Sequence, residues 1–301
     1  MTWAHSVNDQ QVAQVEDLIA RAELVDGTAP VSEDALRGLA GGAGISHRVD
    51  VDADGLVIGY AQRRAGHDEH PDMAEVVVAP EHRNRGIGTD LVADALTSGG
   101  AGAQVWAHGD LTPAQAVARK LALVGARELL QMRRPLDTPE LPDVVVPGGV
   151  SLRTYAGPDD DAEILRVNAA AFSWHPEQGA MSAVDLAARR GESWFDAAGL
   201  FLAFADDDPK TLLGFHWTKV HPAGADSEAI GEVYVVGISP EAQGRGLGRV
   251  LTLAGLHYLR NLQLGAVLLY VEGDNSAALR TYERLGFERF HVDMAYSYSE
   301  T

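Results

Sequence analysis

The chain has 301 residues, with 24 Lys and Arg against 43 Asp and Glu, and its formal net charge is −19. A charge this negative argues against broad nucleic-acid binding and against docking on anionic membranes, because phosphates would be repelled. The sequence contains no cysteine, which excludes disulfides, thiolate metal sites and a cysteine nucleophile. No apolar run approaches the roughly 18 residues of a membrane span. We expect a cytoplasmic monomer of about two domains that binds neither nucleic acid nor membrane.

A segment of the first half of the chain returns in the second half. Residues 76–88 read VVVAPEHRNRGIG, and residues 236–248 read VGISPEAQGRGLG. The matched residues lie at a constant offset of 160: Pro80 and Pro240, Arg85 and Arg245, Gly86 and Gly246. Residues 105–110 and 123–126 pair in the same order with 269–274 and 284–287. Because the period has the size of a domain, the repeat indicates a tandem duplication and not a solenoid.

Residues 134–149 separate the two copies and are rich in proline. Each proline biases its predecessor away from helix, so this stretch is predicted to be an extended linker. We place the boundary at 140/141, which gives an N-terminal domain over residues 1–140 and a C-terminal domain over residues 141–301.

The hydrophobic pattern of the second half predicts alternating helices and strands. In chain order we expect a helix over 159–172, strands over 200–204, 212–217 and 231–238, a helix over 247–262, a strand over 266–271, a helix over 275–285 and a strand over 292–298. Asn275 or Asp274 is predicted to cap the last helix. This order indicates an α/β (α+β) fold, made twice, in which helices flank a mixed and mostly antiparallel sheet.

Both copies join a strand to a helix by a glycine-rich turn, over residues 83–88 and 243–248. Glycine lets the backbone approach a ligand closely, and the free N–H groups at the helix N-terminus attract an anion. The turns are therefore predicted to bind phosphate. A Rossmann motif needs a third glycine where Leu91 and Leu251 stand, and a P-loop needs Gly-Lys-Ser/Thr, so both motifs are excluded.

The turn pattern, Gln/Arg-x-x-Gly-x-Gly after a strand that ends at proline, resembles the acyl-CoA pyrophosphate loop of the GCN5-related N-acetyltransferases. Longer stretches are similar to mycothiol synthases, namely residues 24–31, 131–136, 175–179, 189–196 and 214–222. The similarity covers nearly the whole chain. It implies two tandem acetyltransferase domains and the transfer of an acetyl group from acetyl-CoA to the cysteinyl amine of cysteinyl-glucosaminyl-inositol, which gives mycothiol.

Two residues of the second half suit acyl transfer. By its spacing alone, Tyr282 fits a core position of its helix as well as a catalytic one, and the resemblance implies that it is the general acid. A phenol with a reference pKa of about 10 can protonate a departing CoA thiolate. The resemblance implies that Glu232 is the general base. A carboxylate with a reference pKa of about 4.3 needs a raised pKa or a relay through ordered water to fill that role.

The first copy has Leu121 where the second copy has Tyr282, when the two are anchored on Gly125 and Gly286. Leucine cannot donate a proton. We therefore predict that the N-terminal domain binds acetyl-CoA, or retains only a remnant of that site, without efficient chemistry, and that the C-terminal domain is catalytic.

The resemblance also assigns the ligand sites. The acetyl-CoA site of the catalytic domain is assigned to Val236, Gly237, Ile238, Gln243, Gly244, Arg245, Gly246, Leu247, Gly248, Arg249, Asn275, Ser276, Ala277, Ala278, Leu279 and Arg280. A second acetyl-CoA site is assigned to Val76, Val77, Val78, Asn84, Arg85, Gly86, Ile87, Gly88 and Thr89. The acceptor site is assigned to Glu33, Glu177, Lys219, Glu232 and Tyr270, with Glu33 coming from the first domain into an interdomain cleft.

Two other functions stay open at this point. One is N-acetylation of a different amine, and the other is non-catalytic sensing of CoA, from which the pair Glu232 and Tyr282 distinguishes an enzyme. No metal is expected, because four histidines that suggest one show no regular ligand spacing: His67, His70, His216 and His221.

Overall fold

The computed structural model describes residues 3–66, 71–173, 176–224 and 228–299, apart from the side chains of residues 176 and 177. Two units are distinguished by their internal contacts. Unit 1 consists of Met1–Leu129 and His291–Thr301, and unit 2 consists of Leu130–Phe290.

The elements follow one another in an order that confirms the predicted alternation. The first are helices α1 (Asp9–Asp26) and α2 (Glu33–Gly38), strands β1 (Ile45–Val51), β2 (Val57–Arg64) and β3 (Met73–Val78), helix α3 (Ile87–Gly99), strand β4 (Gln104–Ala107), helix α4 (Thr112–Lys120) and strand β5 (Leu123–Pro135). The next are strand β6 (Val150–Thr154), helices α5 (Asp161–Ala171), α6 (Pro176–Gly179) and α7 (Ala183–Arg190), and strands β7 (Leu200–Ala205), β8 (Leu212–His221) and β9 (Ile230–Ile238). The last are helix α8 (Leu247–Asn261), strand β10 (Ala266–Glu272), helix α9 (Ser276–Arg284) and strand β11 (Glu288–Tyr298).

Unit 1 is built on a mixed sheet with the strand order β1-β2-β3-β4-β11. β1, β2 and β3 are antiparallel, β3 and β4 are parallel, and β11 is antiparallel to β4. Leu18 of α1 packs in one core cluster with Tyr60 and Val77, while Leu96 of α3 packs in another with Ala74. Because Tyr60 and Val77 are directly opposed and Ala74 is an odd number of residues away, these helices cover opposite faces of the sheet.

Unit 2 repeats this arrangement. β6, β7, β8 and β9 are antiparallel neighbours in that order, β9 and β10 are parallel, and β5 lies beside β10. Ile164 of α5 and Leu186 of α7 pack with Trp217 in one core cluster. Leu247 and Leu251 of α8 belong to a different cluster. The mixed, mostly antiparallel fold made twice is thus confirmed.

The division by contacts differs from the boundary at 140/141. Residues 130–135 of β5 belong to unit 2, and residues 294–297 of β11 pair with β4 in unit 1. A strand belongs to the sheet with which it forms hydrogen bonds, wherever it lies in the sequence. The proline-rich linker therefore could not predict that β5 and β11 cross between the units. The roles assigned to the two domains stay predictions.

The parallel strands of each unit separate after a short paired stretch. The register of β3 and β4 ends at Glu75 and Trp106, and that of β9 and β10 ends at Val233 and Leu269. In unit 2 the Ser239 N–H donates to a carbonyl on the β8 side. Backbone groups alternate sides along a strand, so the peptide N–H groups of residues 236 and 238 point toward the opening that β10 leaves. These donors need a partner from outside the sheet.

Candidate active site

Glu232 lies near the start of β9, which with β8 forms the middle of the sheet of unit 2. Its Cα is opposite Lys219 of β8 on one side and Leu268 of β10 on the other. Directly opposed residues share a face of the sheet, and so do residues two apart, so Tyr270 of β10 shares this face as well. The structure thus brings together three of the predicted acceptor residues, Lys219, Glu232 and Tyr270.

The Glu232 carboxylate is buried in unit 2 and is bound by a histidine. Its side chain is only 8% exposed, and Oε2 lies 2.6 Å from Nε2 of His221. His221 is two residues beyond Lys219 on β8, which puts it on the same face, and it is 35% exposed. From the sequence, His221 suggests only a metal ligand, because its contact with the predicted base depends on the pairing of β8 with β9.

A β-bulge follows Glu232. The register moves from Thr218–Val233 to Trp217–Val235, so Tyr234 is the extra residue of β9. Lys219 Nζ lies 5.5 Å from the Tyr234 ring centroid and 5.3 Å from that of Trp194. Bulges are common beside active sites because they redirect a side chain. Here the bulge adds an aromatic wall next to the carboxylate.

Tyr282 lies on α9, whose first turn is closed by the predicted cap. The Asn275 side chain accepts a hydrogen bond of 3.1 Å from the Ala278 N–H, which confirms Asn275 as the N-cap residue. The Tyr282 ring meets Phe287 edge to face at 5.7 Å. Burial raises the pKa of the Tyr282 phenol to about 12, so this hydroxyl keeps its proton at neutral pH. Its oxygen forms no hydrogen bond within the described ranges.

A buried arginine fixes the other end of α9. Arg134 is 1% exposed and donates to the backbone carbonyls of Leu285, Pro135 and Pro139. A cation at the C-terminus of a helix satisfies carbonyls that have no partner within the helix and interacts favourably with the helix dipole. Arg134 thereby holds the turn from which Tyr282 projects. In the sequence, residues 131–136 show only a family resemblance, and no local pattern predicts this role of Arg134.

The glycine-rich turn of unit 2 leads from β9 into α8. Gly246 is the N-cap residue with φ +79°, and Gly244 has φ +76°, which is a region that favours glycine. In the described residues no side chain caps α8, whereas Asn8, Ser32, Ser182 and Asn275 cap α1, α2, α7 and α9. The first N–H groups of α8 are therefore available to an anion.

Three arginines near this turn form no ion pair within the described part of unit 2. They are Arg245 of the turn, Arg249 of α8 and Arg280 of α9, and all three are exposed. By contrast, the Arg83 guanidinium of unit 1 donates to both carboxylate oxygens of Asp26 at 2.7 and 2.8 Å. The positive charge near the unit 2 turn can therefore meet phosphates, despite the net charge of −19 of the chain.

Unit 1 contains a cavity of about 410 Å³, within the usual range for ligand pockets. Eight of the nine residues predicted for the second cofactor site line it, all except Arg85: Val76, Val77, Val78, Asn84, Gly86, Ile87, Gly88 and Thr89. The turn has the same shape as its copy, with φ +60° at Asn84 and +91° at Gly86. A Cβ at Gly86 would meet no atom within 4 Å.

Unit 1 lacks counterparts of both predicted catalytic residues. In its sheet the cross-strand set that matches Lys219, Glu232 and Leu268 is Arg64, Met73 and Gln104. Met73 therefore stands at the position of the base. The sheet of unit 1 also has no bulge between β2 and β3 over the residues described. The helix limits correct the predicted match of Leu121 with Tyr282. α4 and α9 each have nine residues, and a positive φ follows their C-caps at Ala122 and Gly286, so Ala118 stands at the position of Tyr282 and Leu121 matches Leu285.

A charged cluster lies at the point where β3 and β4 separate. His108 Nε2 is 2.9 Å from Glu75 Oε2, and His108 Nδ1 is 3.5 Å from Asp293 Oδ2. Burial alone would lower the pKa of His108, but the hydrogen bonds and charges of Asp293 and Glu75 raise it to about 9. Ser32 donates its backbone N–H and its hydroxyl to Glu75. The cavity of unit 1 thus ends at an imidazolium held by two carboxylates.

This cluster predicts a pH dependence of stability. Because folding raises the pKa of His108 above its reference value of about 6.5, its stabilising contribution is complete below pH 6.5 and is lost as the pH rises through 9. The contribution is on the order of 3 kcal/mol. Denaturant unfolding of wild type and His108→Gln between pH 6 and 9.5 measures it. The two proteins should converge as the pH rises, and a constant difference across this range would contradict the assignment.

The other predicted residues are placed less informatively. Glu33 begins α2 in unit 1, with its side chain 83% exposed and 4.0 Å from Arg37. Glu177 belongs to α6, and its side chain lies outside the description. His67 and His70 also lie outside the described residues. Within those residues, His, Asp and Glu form no group of three or more that could hold a metal ion.

No helix in the described ranges has both the length and the apolar character that a membrane span requires.

Comparison with known proteins shows the family to which the chain belongs. Residues 165–287 match the Acetyltransferase (GNAT) family, and residues 47–121 match the Acetyltransferase (GNAT) domain. The chain is 62% identical to the mycothiol acetyltransferase of Rhodococcus opacus (strain B4) over 298 residues, which are 98% of this chain and 97% of that protein. The chain belongs to the mycothiol acetyltransferase family. A second member, from Rhodococcus erythropolis (strain PR4 / NBRC 100887), is 62% identical over 99% of both chains.

A solved structure supports the tandem fold. It is the tandem GNAT protein from the clavulanic acid biosynthesis pathway, without AcCoA, with a TM-score of 0.66 and 20% identity over 98% of this chain and 97% of that chain. The chain is therefore an acyltransferase with two GNAT domains, of a family that uses acetyl-CoA, with a small-molecule amine as its acceptor. Members of the mycothiol acetyltransferase family support an acetyl-transfer role in mycothiol synthesis.

Proposed function

We propose that this chain transfers the acetyl group of acetyl-CoA to the cysteinyl amine of cysteinyl-glucosaminyl-inositol, and that unit 2 carries out the chemistry. One observation carries the proposal. In unit 2 a buried carboxylate, Glu232, lies at the start of a strand whose far end leads into an uncapped, glycine-rich helix N-terminus. An acyl-CoA that runs along this strand puts its pyrophosphate at the helix and its thioester toward the carboxylate.

The cofactor contacts follow from the free groups of unit 2. The pyrophosphate would accept hydrogen bonds from the first N–H groups of α8, and Arg245, Arg249 and Arg280 would neutralise its charge. The thioester carbonyl would lie against the N–H groups of Val236 or Ile238 that face the opening beside β10. An N–H in this place stabilises the oxyanion that forms as the amine attacks.

The proton steps involve two side chains. The acceptor amine must lose a proton before it can attack the thioester, and the pair formed by Glu232 and His221 is the base that takes it. When the carbon–sulfur bond breaks, Tyr282 donates its hydroxyl proton to the CoA sulfur. A pKa of about 12 keeps that proton on the phenol until the thiolate forms.

Acceptor binding would use the face that Glu232 shares with Lys219 and Tyr270. The sugar and inositol hydroxyls can both donate and accept hydrogen bonds, and an ammonium and a phenol together offer both kinds of partner. Glu33 and Glu177 belong to this proposal only through the family resemblance.

Unit 1 would hold a second acetyl-CoA without transferring its acetyl group. Its glycine-rich turn and its cavity support this proposal, and the positions of acid and base are occupied by Ala118 and Met73. Neither side chain can exchange a proton with substrate.

The test is a direct assay. The protein is incubated with acetyl-CoA and cysteinyl-glucosaminyl-inositol, and both CoA release and the mass of the acetylated product are followed. The expected result is one CoA released per acetyl group added to the cysteinyl nitrogen, with a higher kcat/KM than for competing amines such as aminoglycosides or peptide N-termini. Absence of turnover by folded protein that binds acetyl-CoA would reject the proposal.

A further inference from the structure

On one face of β8 and β9, the Glu232 carboxylate is hydrogen-bonded to the His221 imidazole, which lies closer to solvent. The carboxylate is the inner group, 8% exposed, and the imidazole is the outer group, 35% exposed, with 2.6 Å between Oε2 and Nε2. His221 ends β8, diagonally across from Glu232, so the strand register places the two side chains next to each other. An amine that approaches from solvent therefore meets the imidazole before it meets the carboxylate.

The hydrogen bond defines the chemical state of the ring. A carboxylate can only accept, so Nε2 carries the proton and donates it to Glu232. In a neutral imidazole the other nitrogen, Nδ1, is then left with a lone pair. Nδ1 makes no hydrogen bond with the residues that the structure describes. The arrangement is that of a base oriented by a carboxylate, as in an Asp–His pair that activates a nucleophile.

We propose that His221, and not the Glu232 carboxylate itself, receives the proton of the acceptor ammonium. This inference rests on the proposed function. Imidazole has a reference pKa of about 6.5 and a glutamic acid about 4.3, while an α-amino group has about 7.7–8.0, so the imidazole is much better matched to an amine. Glu232 then acts as a positioning residue, which fixes the tautomer and stabilises the imidazolium that forms.

The step balances without any further reactant. One proton moves from the ammonium to Nδ1 of His221, and the freed nitrogen lone pair attacks the thioester carbon. The carbon–sulfur bond breaks, and the sulfur takes the proton of the Tyr282 hydroxyl. The new amide loses its second N–H proton, which restores the tyrosine, and His221 releases its proton to solvent. The net change is an amide, a free thiol and one proton.

Other titratable groups on this face affect the same proton. Lys219 of β8 and Tyr234 of β9 flank the pair, with Lys219 Nζ held over the Trp194 and Tyr234 rings, and Tyr270 of β10 shares the face. The Lys219 ammonium opposes a second positive charge nearby, while the Glu232 carboxylate favours it. A proton received by His221 would therefore lie between a cation and an anion.

The test combines a pH profile with chemical rescue. His221→Ala, Glu232→Gln and the control His257→Ala are assayed with acetyl-CoA and cysteinyl-glucosaminyl-inositol from pH 5.5 to 9. His257 is a histidine of α8 in the same unit, bonded to the Pro142 carbonyl, and has no part in the proposed chemistry. His221→Ala is expected to lower kcat by roughly 100-fold or more, to lose the acidic limb of kcat/KM and to regain activity with added imidazole. Glu232→Gln retains the ring and should not respond to imidazole.

The outcomes are distinct. If wild type turns over and His221→Ala keeps the wild-type acidic limb and ignores imidazole, the inference is wrong. If wild type does not turn over, the proposed function fails, and the ring is tested without acceptor by ¹⁵N NMR of His221 in wild type and Glu232→Gln. We expect the Nε2–H tautomer in wild type at high pH and a weaker preference for it in Glu232→Gln. A predominant Nδ1–H tautomer in wild type would overturn the assignment by itself.

Discussion

Replacement of Tyr282 with phenylalanine is expected to lower kcat by roughly 100-fold or more while the KM for acetyl-CoA stays nearly constant. The substitution removes only the hydroxyl, and the ring keeps its edge-to-face contact with Phe287 at 5.7 Å. Without the phenol the CoA thiolate must leave unprotonated or take its proton from water. Because burial raises the pKa of Tyr282 to about 12, loss of this proton should not reduce wild-type activity below about pH 10.

A matched control separates the missing acid from a missing hydroxyl. Tyr258→Phe removes a phenol oxygen from α8 of the same unit, where it donates to Asp196 at 2.7 Å. Loss of that hydrogen bond should cost about 1 kcal/mol of stability and leave kcat unchanged. Steady-state kinetics on both variants, with acetyl-CoA binding measured by titration, make the comparison. Wild-type kcat in Tyr282→Phe would refute the assigned acid.

Local signals made much of unit 2 predictable from sequence. The glycine-rich turn, the N-cap at Asn275 and the limits of α8 depend on residues close together in the chain. Positive φ at Gly244 and Gly246 follows from the same local logic, since glycine adopts that conformation at little cost. The duplication extended these predictions to unit 1, where Asn84 and Gly86 have the same backbone shape.

Strand pairing between distant segments limited what could be predicted from the sequence. The strand predicted to end at residue 217 continues to His221, because hydrogen bonds to β9 extend it beyond the apolar stretch. Only the resulting register brings His221 to Glu232. The bulge at Tyr234 shifts the match between the copies by one residue, so it is the register and not the sequence offset that identifies Met73 as the counterpart of the base.

The exchange of β5 and β11 between the two units could not be predicted from the sequence either. β5 begins in unit 1 and ends in unit 2, whereas β11 begins in unit 2 and ends in unit 1. The composition of these two strands does not distinguish them from strands that lie within a single unit. Likewise, Arg134 gave no sign of its burial against three carbonyls. Both features include a partner more than 100 residues away in the sequence, which for Arg134 is Leu285.

The same substitution in the two glycine turns tests the division of labour between the units. Gly86 and Gly246 are matched, since their φ values are +91° and +79° and a Cβ at either meets nothing within 4 Å. Valine at either position should therefore cost a similar amount of stability, about 1–2 kcal/mol from backbone strain. Any larger difference between the variants must come from what binds at the turn.

We expect Gly246→Val to lower kcat/KM for acetyl-CoA by roughly 100-fold or more, because the strained backbone would misdirect the N–H groups of α8 to which the proposal assigns the pyrophosphate. Gly86→Val should reduce the number of acetyl-CoA molecules bound per chain from two toward one. Its rate of acetyl transfer in a single turnover should stay close to wild type, since unit 1 has neither base nor acid. Equilibrium titration and rapid-quench measurements on both variants decide the point. Equal loss of the chemical step in the two would mean that unit 1 takes part in catalysis.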